Sequence, residues 1–170
     1  MLFKKTPSPH IKEHISVHDM MFKVLYALIP GALASMYFFG WGVLFNFVIA
    51  ISTCLLSEAV ILKLRHREVY PTLHDGSALL TACLLALALP SLAPWWITVI
   101  ASLSAIVVAK HLYGGLGFNP FNPAMVGYIV VMISFPLEMT LWSAPIGVND
   151  GWPDFSTTFN WVFLGALPYS

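Results

Sequence analysis

The residues best suited to holding a ligand lie between His111 and Ala124, in the run His-Leu-Tyr-Gly-Gly-Leu-Gly-Phe-Asn-Pro-Phe-Asn-Pro-Ala. Three glycines, two prolines and two asparagines fall within these fourteen residues, between two apolar runs of membrane-buried character. Backbone that is not regular helix is tolerated at membrane depth only where protein buries it or where it lines a polar cavity. A site is therefore expected here. A second polar approach, His74-Asp75-Gly76-Ser77, precedes another short apolar run. Ser77 or Asp75 is suited to cap the helix that follows it, and Asn122 to cap the helix after the first stretch, with Pro123 at its first position. Two helix N-termini brought together in this way present free amides and positive dipole ends to carbonyl or anionic oxygens of a ligand.

The composition says what must position these groups. The chain has 170 residues, 58% hydrophobic and only 9% charged, with mean hydropathy +0.79. Soluble domains carry roughly 25% charged residues, so the reading is an all-α integral membrane protein. Net charge is zero and no basic tail is present, which argues against nucleic acid as a partner. Cys54 and Cys83 sit inside apolar runs and read as small buried hydrophobes, with no disulfide or metal implied. No cleavable signal peptide is evident.

The predicted organisation is a polar cytoplasmic lead-in over 1–19, a membrane domain over 20–141 and a periplasmic segment over 142–170. Five spans or half-spans are expected at about 20–39, 43–62, 77–89, 95–109 and 124–141, with a kink at Pro30-Gly31 and turns at Asp150-Gly151 and Trp152-Pro153. The third and fifth runs are both short, both follow a Gly-containing polar approach, and both meet a proline, Pro90 or Pro136. Paired, interrupted apolar segments point to a binding site at the centre of a transporter-like fold. Alternate threading places all eight Lys and Arg residues on or beside one side and all six tryptophans on or beside the other. The positive-inside rule and the aromatic belt then agree on a cytoplasmic N-terminus.

Each feature has a plainer reading. Gly114-Gly115-Leu116-Gly117 can be a turn, and it is no nucleotide fingerprint because no strand precedes it. Asn119 and Asn122 can satisfy orphan backbone groups of their own loop. His74, Asp75 and His111 read as interfacial polar residues ahead of proton carriers. Glu58 and Glu138, in or beside apolar runs, are either functional carboxylates or groups reaching headgroups or water.

Phe38-Phe39-Gly40-Trp41-Gly42, Leu73-His74-Asp75-Gly76-Ser77-Ala78-Leu79-Leu80-Thr81 and Tyr113 to Met125 resemble the RnfD membrane protein of Rnf-type ion-translocating oxidoreductase complexes. That family is related to the NqrB component of the sodium-translocating NADH:quinone oxidoreductase. The resemblance implies a flavoprotein subunit of a bacterial inner-membrane complex, which couples electron flow between ferredoxin and NAD to Na⁺ or H⁺ movement. The partners it implies are other membrane and flavin or iron–sulfur subunits. It places non-covalent riboflavin at Asn119 and Asn122; Gly117, Phe118 and Phe121 beside them, and Asp75 and Ser77 on the second approach, are the further candidates for holding it. Amide groups can bond the polar edge of an isoalloxazine ring while phenyl rings pack its faces. The resemblance also implies FMN attached through phosphate to a threonine of a Ser/Thr-Gly-Ala-Thr motif. That motif is not present here, since Ser156-Thr157-Thr158 lacks the Gly-Ala pair.

Family members are roughly twice this length. The chain therefore reads as the N-terminal half of an inverted-repeat fold, not active by itself. Half of a small-solute channel or transporter without a cofactor is the alternative, and a structural anchor for partner subunits is a third reading.

Overall fold

The computed structural model describes residues 16–148 and 154–165, and within them all regular elements are helical. Helix α1 spans Val17–Phe39, α2 Trp41–Leu64, α3 Val69–Leu73 and α4 Ser77–Ala88. Helix α5, Trp95–Leu103, runs on as π-helix over Ser104–His111. Helix α6 is Pro123–Ser134, followed by a 3₁₀ turn at Glu138–Thr140; α7, Phe155–Phe159, continues as π-helix over Asn160–Leu164. Most of the lead-in over 1–19 and the turns at Asp150-Gly151 and Trp152-Pro153 lie outside the described residues.

Two helices, α1 and α2, are long and apolar enough to cross a membrane. Helices α4 and α6 have 12 residues each, about 18 Å at 1.5 Å per residue, against roughly 30 Å of hydrocarbon. The fifth run is helical only to Ser134, short of the expected 141. Pro136 is the reason: it disfavours helical dihedrals at the preceding residue, and Phe135 sits at φ −136°, ψ 61°. Helix α1 continues through Pro30. The expected connection between the second and third runs contains α3, and part of the tail expected to be mixed and polar is helical as α7, whose Phe155, Phe159 and Phe163 pack edge-on against Phe45 of α2.

The packing follows a repeat of four. Helix α2 buries Gly42, Asn46, Ala50, Cys54, Glu58 and Leu62; α4 buries Ser77/Ala78, Thr81/Ala82 and Leu85/Ala86. These are i±4n ridges, the rows that interdigitate in the commonest helix-packing class. Most residues on them are small, so the backbones approach closely, as between membrane helices. Helix α5 buries Ile97/Thr98, Ala101/Ser102, Ala105/Ile106 and Ala109/Lys110, also every fourth residue. In an α-helix each four-residue step drifts about 40° around the axis. The wider π turns from Ser104 to His111 take up that drift and keep the last pair, including Lys110, turned inward.

At the tryptophan-bearing end, polar groups tie the loops together. The Asn46 side-chain amide donates to the Pro90 carbonyl at 2.8 Å and accepts from the Thr98 hydroxyl at 2.9 Å. Ser143 bonds Ser91 and, through its hydroxyl, the Phe39 carbonyl at 3.0 Å. Asn46→Leu strands the buried Pro90 carbonyl and Thr98 hydroxyl together. The expected loss is about 2–3 kcal/mol, read by denaturant unfolding of the full-length protein in detergent; a midpoint unchanged from the parent would contradict this role.

Candidate functional site

The short helices α4 and α6 begin beside one another at the end of the bundle that carries Lys63, Arg65, Arg67 and Lys110. Asn122 caps α6 as its position suggests: Oδ1 accepts from the amides of Ala124 at 2.9 Å and Met125 at 3.4 Å, and Pro123 follows at the first helical position. Helix α4 starts differently from the expected Ser77 or Asp75 cap. Its N-cap is Gly76, at φ +78°, where a Cβ would come within 2.9 Å of the Phe22 ring of α1. Asp75 serves from one position further out, its Oδ1 accepting from the Ser77 amide at 2.7 Å and from the Ser77 hydroxyl.

Between these two helix starts lies a cleft of about 330 Å³, lined among others by Ser77, Thr81, Lys110, Asn119, Phe121 and Asn122. It is at the small end of the roughly 300–1,000 Å³ range of ligand sites. The two amides divide their capacity. Asn119 uses one N–H on the Phe121 carbonyl at 2.8 Å, and Asn122 uses its oxygen on the cap. An Asn amide offers two donors and a two-lone-pair acceptor, so Asn119 keeps its oxygen and one N–H, and Asn122 keeps its NH₂. Both therefore satisfy their own loop and retain polar groups for a ligand.

The other residues singled out from sequence sit around this cleft. Phe121 is on its wall and 61% exposed. Phe118 is 75% exposed, beside Gly114, and does not line the cleft. Gly117 does not line it either, and adopts φ +87°, a conformation that favours glycine. Asp75 reaches it only through Ser77. At the far end of the chain, Ser156 and Thr158 donate to Asp154 at 2.7 and 3.1 Å, holding the start of α7.

Behind the cleft is a buried charge cluster around Glu58, whose role the sequence reading left open between a functional carboxylate and a group reaching headgroups or water. Glu58 of α2 is fully buried, as is Lys110, whose ammonium pairs with Glu58 Oε1 and donates to Ser77 Oγ at 2.7 Å. His111 Nε2 lies 3.4 Å from the same carboxylate oxygen. His111 is thus a buried neighbour of Glu58. Arg65 and Arg67 donate to the His111 and Gly114 carbonyls at 3.0 and 3.3 Å, binding the end of α2 to the end of α5 and to the glycine turn. Glu138 is half-buried in the 3₁₀ turn after α6. Buried charges in an apolar helical bundle are costly and tend to mark functional positions.

An all-helical bundle with two helices of membrane-spanning length, and two short ones starting at a shared polar cleft, defines the class. The chain belongs to the NQR2, RnfD, RnfE family, which matches residues 4–166. It is 48% identical over 168 residues to the D subunit of the ion-translocating oxidoreductase complex of Shewanella piezotolerans, covering 99% of this chain and 48% of that protein. The like-named protein of Shewanella denitrificans is 55% identical over 148 residues, covering 87% of this chain and 42% of that one. The protein of that name from Escherichia coli O127:H6 is 47% identical over 165 residues, covering 97% and 47%. The chain thus spans about half the length of the relatives it matches.

Proposed function

We propose that this chain is part of an RnfD-type protein that sits in the bacterial inner membrane with its N-terminus in the cytoplasm, holds riboflavin non-covalently in the cleft between α4 and α6, and helps couple ferredoxin:NAD-type electron transfer to Na⁺ or H⁺ movement. The observation that carries the flavin reading is the pair of partly used amides, Asn119 and Asn122, facing one cleft beside an exposed phenyl ring. The edge of an isoalloxazine ring alternates acceptors and a donor, which suits one spare NH₂ and one spare oxygen with its N–H. The redox chemistry belongs to the flavin; the residues supply binding, orientation and electrostatics. Family membership and the relatives' shared description support the wider role. FMN would be attached in the portion of the protein corresponding to the remainder of those relatives. Other membrane and flavin or iron–sulfur subunits of the complex would surround the apolar outer faces of α1 and α2, with lipid covering the rest.

The test uses the full-length protein in its purified complex. Denaturation should release riboflavin, and Asn119→Leu should weaken its retention about tenfold, roughly the effect of losing one well-made hydrogen-bonding group in a partly buried site. Assembly should be unchanged, because Asn119 caps no helix. Asn122→Leu should do the same and also cost about 1 kcal/mol of stability through the lost cap. Unchanged occupancy in both variants would move the flavin elsewhere. A complete protein that releases no flavin would favour the cofactor-free channel.

A further inference from the structure

We propose that Lys110 is a charge-bearing positioning residue for the cleft, raising the reduction potential of the flavin held there. This rests on the flavin reading above and says what the buried cluster is for. Lys110 is 1% exposed, yet it is part of the cleft lining, whereas its partner Glu58 is not. The pair is therefore a dipole set behind the cleft, with the lysine on the ligand side and the carboxylate away from it, and Nζ reaches the lining through the Ser77 hydroxyl. An ammonium has three N–H groups; among the described residues Nζ meets two acceptors, Glu58 Oε1 and Ser77 Oγ, and keeps one donor.

The surrounding charges do not cancel this polarity. Asp75 is engaged by the amide and hydroxyl of Ser77 and does not line the cleft, and His111 faces Glu58. The starts of α4 and α6 add the positive ends of two helix dipoles on the same side. A ring that accepts electrons gains negative charge on its polar edge, and a cation held at short range in a low-dielectric site favours that form. The π turns that bring Lys110 inward are part of the same arrangement, since a π segment in a helix is often found at a functional position.

The experiment is a spectroelectrochemical titration of the non-covalent flavin in the full-length complex, with the riboflavin released on denaturation measured alongside. Removing both charges in Glu58→Gln/Lys110→Met avoids leaving one buried ion alone. This variant should retain riboflavin and lower the ratio of reduced to oxidised flavin at a fixed potential about tenfold, which is about 30 mV for a two-electron couple. Lys110→Arg keeps a positive charge beside Glu58, so the potential should stay at the parent value. Retained riboflavin with an unmoved potential in the double variant would overturn the role of Lys110 and leave the flavin reading standing. An unsubstituted complex that releases no riboflavin would overturn the flavin reading itself.

Discussion

Gly42→Ala is expected to be the most damaging Gly→Ala change among the described residues. A Cβ on Gly42 would stand 1.8 Å from the carbonyl oxygen of Ser91 and 2.8 Å from its carbon. Both atoms are backbone, and Ser91 is anchored by Ser143, so no side-chain rotation relieves the overlap. The start of α2 must move away from the loop after α4, and Asn46, one turn along, must let go of the Pro90 carbonyl. Overpacking a close contact costs about 1–3 kcal/mol, and the strained Asn46 bond adds about 1 kcal/mol more. The measurement is the denaturation midpoint of the full-length protein in detergent, compared with Gly31→Ala. Gly31 lies within α1 with nothing near its would-be Cβ, so that change should be neutral or stabilising by up to about 1 kcal/mol. Equal midpoints for the two variants would mean that Gly42 and Ser91 are not packed as described.

Gly42 also shows what can be read from the sequence and what cannot. The tight connection at Gly40-Trp41-Gly42 is visible as a Gly-rich break between apolar runs, but only the packing shows that Gly42 is the floor on which the Ser91 carbonyl rests. The helix-start chemistry at Asn122-Pro123 is local, so the sequence declares it. The cap at α4 is subtler: Gly76 is selected by the Phe22 ring of α1, more than fifty residues away in the chain, and Asp75 acts from outside the cap. Residues 119–122 are legible as polar groups in an apolar setting. That each asparagine spends only part of its capacity on its own loop is a matter of geometry.

Glu58 is legible as a candidate functional carboxylate, but its partners escaped because Lys110 and His111 look like the basic end of a span reaching for headgroups. A signal was nonetheless present. The pairs Ile97/Thr98, Ala101/Ser102, Ala105/Ile106 and Ala109/Lys110 repeat every four residues, as do Gly42, Asn46, Ala50, Cys54, Glu58 and Leu62. Both ridges run through a charged residue, which puts Lys110 and Glu58 on inward faces. A period of 3.6 hides this, because it rotates Lys110 away, and the π turns that restore it are set by tertiary packing. Asn46 belongs to the same ridge and escaped for the same reason.

Breaking the Glu58–Lys110 pair from one side should destabilise the protein more than removing it altogether. Lys110→Met leaves a carboxylate in the bundle with only His111 nearby, and one oxygen of that carboxylate, Oε2, already has no hydrogen-bond partner among the described residues. A buried pair that loses one member typically costs about 3–5 kcal/mol, because the remaining charge keeps its desolvation penalty without its partner. Glu58→Leu strands the ammonium instead, with Ser77 Oγ as its remaining acceptor, and should cost a similar amount. In Glu58→Leu/Lys110→Met neither charge remains, and the loss should shrink to about 1–2 kcal/mol, so the double-mutant cycle gives a coupling of about 3 kcal/mol or more. Strictly additive losses would show that the two side chains do not share one buried site. If coupling is instead found, the pair contributes little net stability while imposing a fixed dipole behind the cleft. A residual loss that small for the apolar double variant means that folding stability gives little reason to keep two ions there, as expected if the pair is kept for its field at the neighbouring cleft, the role proposed above for Lys110.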